Sequence, residues 1–415
     1  MIARIIPSRL AGCVRAPASK SAAHRAMICA ALADGDTHIR FADTNADIEA
    51  TLRCISALGA RAERTAEGVR ILGGNFTNMA QADCGESGST LRFLIPVAAA
   101  VGCETDFLCT GRLPERPMDA LRDVLSAHGA SMSDAGVNPV RVRGRLQPGR
   151  YNLPGNVSSQ FVSGLLFALP RLSGESEIVI DGPLSSADYV EMTLQSLAAF
   201  GIRPERTENG FRIRSDMAYR SPGEICIEGD WSGAAFWLCS GIPVSGLLEN
   251  AVQGDRRVLD VLCRMGAEIR CEGDAFAASG CLHGTVIDAD PIPDLVPPLA
   301  SAAVFAQGET RIVNAARLRA KESDRLFTTA AALRSLGADI REEGDGLLIR
   351  GGKPIPGGIA DAYGDHRIAM AAAIAAVRAE GESIIRGAEA VNKSYPGFWR
   401  DLESLGGQVI LSEGE

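Results

Sequence analysis

Apolar and polar positions repeat one pattern six times along this chain. Each copy is an amphipathic helical stretch, closed by a glycine and followed by short alternating segments. The copies read LRCISALGARAERTAEGVRIL, LRDVLSAHGASMSDAGVNPVRVRG, LQSLAAFGIRPERTENGFRIR, VLDVLCRMGAEIRCEGDAFAA, TAALRSLGADIREEGDGLLIR and FWRDLESLGGQVILSEG. Their glycines, Gly59, Gly129, Gly201, Gly266, Gly337 and Gly406, are spaced by 70, 72, 65, 71 and 69 residues. Leu52, Ile55 and Leu58 fall at helical spacing in the first copy, and Leu333 and Leu336 in the fifth. Glycine suits the left-handed position where a helix stops. The segments VRIL, FRIR and LLIR then alternate with strand period, and the turns AEG, ENG and EGD predict a hairpin after the helix.

A period near 70 residues exceeds the ~20–50 of common solenoids. Each copy therefore has room for a second strand–helix unit, with Leu91 to Val101 and Phe161 to Leu169 as candidate helices. Six copies in 415 residues are too many for one core, because cores stop growing near ~250–300 residues. The pattern predicts an α/β protein of two domains with three copies each. The division falls between copies three and four, near Ser221-Pro222-Gly223 and Glu228-Gly229-Asp230.

Composition narrows the function more than the fold. The chain is 46% hydrophobic and 22% charged, as in soluble globular proteins. It has no run of ~20 apolar residues, and its start, MIARIIPSRLAG, is too short and broken for a signal peptide. Eleven cysteines without a CxxC pair, and five separated histidines, predict reduced thiols in a cytoplasmic protein with no metal site. A net charge of −9 disfavours nucleic acid as a partner. Of 42 basic residues only Lys20, Lys321, Lys353 and Lys393 are lysines. A lysine surviving that bias marks a place that needs a compact ammonium with a tunable pKa. Lys353, between Gly-Gly and Pro, fits a plain turn; the other three lie in polar clusters.

Three of those clusters open apolar helices in the first half. Ala18 to Arg25 holds Ser19, Lys20, Ser21 and Arg25, with either serine as candidate cap. Gly85 to Arg92 holds Ser87, Gly88 and Ser89, and Asn156 to Gln160 holds Ser158 and Ser159. Free first-turn amides at corresponding places in successive copies predict one shared anionic ligand. Arg112 to Pro117 sets Arg116 in a proline-stiffened loop that suits a carboxylate or phosphate. In the second half, Ala320 to Arg325 would place Lys321 and Arg325 on one helical face. Asp365-His366-Arg367 leads into an alanine-rich helix, and Asn392-Lys393-Ser394-Tyr395 forms the last polar knot. A lone aspartate such as Asp294, before Leu295 to Phe305, is ordinarily a helix cap. Acid–base work on an anionic substrate needs a carboxylate and a proton donor, and Asp294, Glu322 and Lys393 are the candidates.

In order along the chain, APASKSAAHR, ESGSTLRF, GRLPERP, GNVSSQF, SSADYVEMTL, EGDWSGAAF, IPDLVPPLA, RAKESDRL, YGDHRIAM and VNKSYPGFW resemble the 5-enolpyruvylshikimate-3-phosphate synthase family over essentially the whole length. The resemblance implies an inside-out α/β barrel fold: two similar domains, each of three inverted βαβαββ units. One domain would span 19–228 and face shikimate phosphate. The other would take 1–18 and 229–415, with crossover hinges near 18 and 228 and the site in the cleft. It implies transfer of the enolpyruvyl group of phosphoenolpyruvate to the 5-hydroxyl of shikimate 3-phosphate, by a cytoplasmic monomer without metal or organic cofactor. By motif, Lys20, Ser21, Arg25, Ser158, Ser159, Gln160, Ser186, Tyr189, Asp294 and Lys321 would hold shikimate 3-phosphate. Lys20, Gly88, Arg116, Gln160, Arg325, Arg367 and Lys393 would hold phosphoenolpyruvate. Asp294 would take the hydroxyl proton, and Glu322, with Lys393 or Lys20, would protonate the methylene carbon.

Two positions depart from the family's usual pattern: Glu86 and Arg317 stand where asparagine is common. Gly88 is where the family senses glyphosate, and its missing side chain predicts an inhibitor-sensitive site. The sister activity on UDP-N-acetylglucosamine is disfavoured because Gly111 stands where its loop cysteine belongs, and Lys20-Ser21 replaces its Lys-Asn. A non-catalytic anion-binding repeat scaffold would spread polar clusters evenly over six copies, and they are not so spread. An RNA-end phosphate cyclase would want a basic surface.

Overall fold

A computed structural model of the chain describes residues 1–156 and 158–413; Val157, inside the Asn156 to Gln160 motif, lies outside them. The chain divides into two compact units. The first is Lys20–Ile227. The second combines Met1–Ser19 with Glu228–Glu415. Among the described residues no helix is long and apolar enough to cross a membrane.

The first unit holds α1 (Lys20–Leu32), α2 (Ala46–Leu58), α3 (Gly88–Val101), α4 (Asp119–Ser126), α5 (Ser159–Ala168) and α6 (Ala187–Ala199). Here α1, α3 and α5 are apolar nearly all round and buried, as helices of that composition must be. They pack closely: a Cβ on Gly164 of α5 would meet the Arg92 carbonyl at 2.6 Å and Pro96 at 2.8 Å. Phe93 and Phe167 meet edge-to-face at 5.5 Å across the same contact. By contrast α2, α4 and α6 are amphipathic and follow the predicted copies. Three four-stranded sheets complete this unit. Met79–Gly85 runs parallel to Glu104–Cys109, which pairs antiparallel with Val140–Gly144, and that with Ala130–Met132. Thus β, α3, β, α4, β, β form one βαβαββ unit.

The second unit repeats this plan with α7 (Trp231–Cys239), α8 (Val258–Arg264), α9 (Val296–Val304), α10 (Arg325–Ser335), α11 (His366–Ala376) and α12 (Phe398–Ser404). Every residue of α7, α9 and α11 is buried. The N-terminal strand Ile2–Ile6 lies between Ser383–Arg386 and Gln408–Ser412, completing the sheet of the sixth copy. Val14–Arg15 joins Val244–Ser245 in parallel. The two points where the chain changes unit are adjacent, because the Ser19 amide donates to the Glu228 carbonyl at 2.9 Å. All six repeat glycines have positive φ, from 83° at Gly201 to 123° at Gly59, so each ends its helix in a conformation that side chains resist.

Candidate active site

In the first unit the buried helices begin where the sequence put its polar clusters. α1 begins at Lys20, so Ser21 lies inside the first turn and is not its cap. Lys20 Nζ donates to Asp47 Oδ2 at 3.0 Å, and Asp47 sits in the first turn of α2, which Asn45 caps. Arg25 is fully buried. Its Nε donates to Thr193 Oγ1 at 2.9 Å, Nη1 to the Ser21 carbonyl at 2.7 Å and Nη2 to the Tyr189 carbonyl at 2.9 Å. The guanidinium lies over the Phe93 ring, 5.1 Å from its centroid. Among the described residues no carboxylate pairs with it. Burial pulls its pKa down to about 10, against the opposing pull of Tyr189 and Cys29. A buried cation with only neutral partners is a place for an anion.

A second group gathers at the start of α3, which Ser87 caps. A Cβ on Gly88 would lie 2.9 Å from Arg116 Nη1 and 3.5 Å from Arg92 Nη1, so two guanidinium groups flank this helix start. Arg116 follows the turn Leu113–Glu115 and is buried. Arg92 Nη1 donates to Gln160 Oε1 at 2.8 Å, and Gln160 Nε2 donates to Ser89 at 2.9 Å. Ser158 caps α5 and Ser159 opens it. Ser186, in left-handed conformation at φ 54°, precedes α6, and the Tyr189 amide donates to its carbonyl.

The second unit carries a denser ionic cluster. Asp294 is not a helix cap: it lies within the short turn Pro293–Leu295 that leads into α9. It receives Lys321 Nζ at 3.3 Å, Arg325 Nη1 at 2.8 Å and Arg367 Nη2 at 3.2 Å, while Arg367 Nη1 donates to its carbonyl at 3.1 Å. Arg325 also binds Glu322 at 2.7 Å, and Asp365 at 2.8 and 3.3 Å. Asp365, fully buried, caps α11 by accepting from the Arg367 amide. Burial alone would raise the Asp294 carboxyl, but Arg367, Lys321 and Arg325 hold it well below the usual carboxylate range. Lys393 is buried at the end of the turn Ala388–Lys393. Lys321 and Arg325 do not share a helical face: Asp324 caps α10 at Arg325, and Lys321 stays in the preceding segment. They meet at Asp294 instead. A cavity of about 610 Å³ in this unit lies at the other ends of the buried helices, by Cys239, Phe305 and Val377.

Sequence reasoning missed Asp47, which pairs with Lys20, and the buried Asp255 beside Ser232. Only Asn45, a helix-cap residue just before Asp47, offered a signal.

Taken together, six βαβαββ copies with polar and charged residues gathered at the starts of their buried helices define an enolpyruvyl transferase fold. The enolpyruvyl transferase NikO from Streptomyces tendae has this fold, with a TM-score of 0.78 at 19% identity over 99% of this chain and 98% of that one. EPSP synthase from Acinetobacter baumannii matches with a TM-score of 0.80 at 27% identity, over 99% and 100% of the two chains. The family model for EPSP synthase (3-phosphoshikimate 1-carboxyvinyltransferase) matches residues 5–402. The 3-phosphoshikimate 1-carboxyvinyltransferases of Clostridium kluyveri and Clostridium acetobutylicum are 41% and 42% identical, each over 98% of this chain and 97% of the relative. The chain belongs to the EPSP synthase family.

Proposed function

We propose that the chain transfers the carboxyvinyl group of phosphoenolpyruvate to the 5-hydroxyl of shikimate 3-phosphate and releases phosphate. The observation that carries this reading is the buried Arg25, a cation without a carboxylate partner among the described residues. The phosphate of shikimate 3-phosphate would supply the missing charge, with Ser21, Ser158, Ser159, Gln160, Ser186 and Tyr189 around the ring and Lys20, Asp294 and Lys321 completing the set. Phosphoenolpyruvate would take Lys20, Arg116, Gln160, Arg325, Arg367 and Lys393, with Gly88 leaving space beside the two guanidinium groups.

Asp294 is the base in this reading. It is ionised at neutral pH because three cations surround it, and the same cations weaken it as a base. Phosphoenolpyruvate anions arriving on Arg325 and Arg367 would share those cations and raise the proton affinity of Asp294 when substrate is present. Glu322, with Lys393 or Lys20, would give a proton to the methylene carbon as the hydroxyl oxygen attacks C2. Loss of phosphate from the resulting tetrahedral species, with return of a methyl proton, completes the exchange. The same reading takes the chain as a cytoplasmic monomer that uses neither nucleic acid nor membrane. Its net charge of −9 and its unpaired cysteines support this.

Phosphate release from phosphoenolpyruvate with shikimate 3-phosphate, against UDP-N-acetylglucosamine and without added metal, tests it. Turnover with the first acceptor alone is expected. Absence of that turnover overturns the reading.

A further inference from the structure

Asp255 precedes α8 and is 4% exposed. It sits behind Arg367, outside the residues assigned to substrate above. Ser232, in the first turn of α7, donates its hydroxyl hydrogen to Asp255 Oδ2. The Ser232 oxygen in turn accepts from Arg367 Nη2 at 3.2 Å. Arg367 is therefore gripped from two sides: Asp294 on one, by its carboxylate and its carbonyl, and Ser232 on the other.

A serine hydroxyl has one hydrogen, so the direction of this chain matters. While Asp255 is a carboxylate it can only accept. Ser232 must then donate to it, and its lone pairs are left for Arg367. If Asp255 takes a proton it can donate to Ser232 instead. The hydroxyl hydrogen is then free to turn toward Arg367, where donor would face donor.

We propose that Asp255 is a positioning residue: through Ser232 it holds the Arg367 guanidinium in the orientation that receives phosphoenolpyruvate. This rests on the assignment of Arg367 to that substrate. Charged groups facing Asp255 include Asp294, Arg367 and Asp230. Burial first, then Asp294, raises the Asp255 carboxyl to about 6, against the pull of Arg367 and Ser232. The relay thus changes direction within the range in which enzymes are assayed.

The test is the Michaelis constant for phosphoenolpyruvate between pH 5 and 8.5 in the wild type, Asp255→Asn and Ser232→Ala. Comparing variant with wild type at each pH cancels the titration of the substrate itself. At pH 8 each variant should raise that constant about tenfold, the loss of one hydrogen bond to a charged group. The constant for shikimate 3-phosphate should move less than about twofold, because that substrate does not use the relay. The Asp255→Asn ratio should collapse toward one as pH falls through about 6, since the wild type then loses the same charge. The double variant should be no worse than Ser232→Ala alone. A ratio constant with pH, equal rises for both substrates, or additive effects would each overturn the proposal.

A second measurement needs no turnover. Trp231, adjacent to Ser232 and fully buried, should show a fluorescence transition near pH 6 that Asp255→Asn lacks. If the wild type fails to use the two substrates while this transition is present, the functional reading fails and the ionic relay stands. If the transition is absent from the wild type, the relay fails whatever the substrates.

Discussion

Arg325→Met should unfold the second unit more readily than any other single change in the cluster. The guanidinium is 2% exposed and makes bonds to three carboxylates: two to Asp365, one to Asp294 and one to Glu322. Methionine keeps most of the volume, so the cavity term is small and the loss is electrostatic. Asp294 retains Lys321 and Arg367, and Asp365 retains Ser323 at 3.0 Å and the Arg367 amide. Asp365 is nonetheless left fully buried without its guanidinium. Breaking a buried pair by removing one partner costs about 3–5 kcal/mol, and this is the expected loss at pH 8. Arg325→Lys keeps a charge but not the planar fork that reaches three acids, and about half the loss should remain.

The pH dependence separates this mechanism from simple misfolding. In the wild type, Asp294 has a depressed folded pKa, so its stabilisation is present above the unfolded carboxylate value and is lost as pH falls through the folded one. In Arg325→Met one of the three cations that hold Asp294 down is gone, so less of that stabilisation is available above the unfolded value. The gap between the two proteins should therefore persist from pH 8 to pH 5 and narrow below about pH 4, the unfolded carboxylate value. All three tryptophans, Trp231, Trp237 and Trp399, belong to this unit, so urea unfolding followed by tryptophan fluorescence reports on it selectively. A loss below about 0.5 kcal/mol at pH 8, or a gap that widens on acidification, would refute the reasoning.

Three further changes are informative. Gly88→Ala puts a methyl group 2.9 Å from Arg116 Nη1, and initial-rate kinetics should show about a tenfold rise in the Michaelis constant for phosphoenolpyruvate; an unchanged constant would mean Arg116 does not bind it. Arg25→Met removes a buried cation that no described carboxylate offsets, so the ligand-free protein should keep its thermal midpoint or gain on it, while inorganic phosphate at ten times its Kd stabilises only the wild type, by about 1.4 kcal/mol; equal stabilisation of both proteins would remove Arg25 from the anion site. Lys393→Arg should lower kcat about a hundredfold and Lys353→Arg hardly at all, because only the first site needs an ammonium that handles a proton; equal rates would sink the argument from lysine scarcity.

The outline of the fold was legible because its signals are local. Six glycines at a steady spacing, each after a helical apolar face, marked six helix ends, and all six adopt positive φ. The starts of α1, α3 and α5 were legible for the same reason, since small hydroxyl residues precede long apolar runs. What failed was register at the charged knots. Lys321 and Arg325 have the spacing of helical neighbours, but Asp324 accepts from the Phe327 amide and starts α10 one residue after itself. Ser323-Asp324 before Arg-Leu-Phe was the cap signal that should have outranked the spacing. Asp47 and Asp255 were not legible as partners: Asn45 marks the helix start beside Asp47, but nothing local distinguishes a partner of Lys20 or of Ser232 from a surface acid.

Those missing contacts nonetheless follow a rule that the repeat contains. Arg92 and Gln160 are 68 residues apart, Gln160 and Ser89 71, and Asp294 and Arg367 73, each close to one period. Ser232 and Arg367, 135 apart, are close to two. Lys20 with Asp47, and Asp294 with Lys321, are both 27 apart, the offset between a buried helix start and the segment that opens the next amphipathic helix. Within each unit, folding three copies around a common core brings corresponding helix starts to the same end, so positions one period apart become neighbours. A charged residue at a helix start therefore has its partners at the same place in the other copies, or 27 residues along its own. The framework is uniform and the residues at these converging positions are not, so the polar and ionic contacts differ from copy to copy. The candidate residues reach into the repeated helices for the same reason: Arg325 opens α10 and Tyr189 lies within α6.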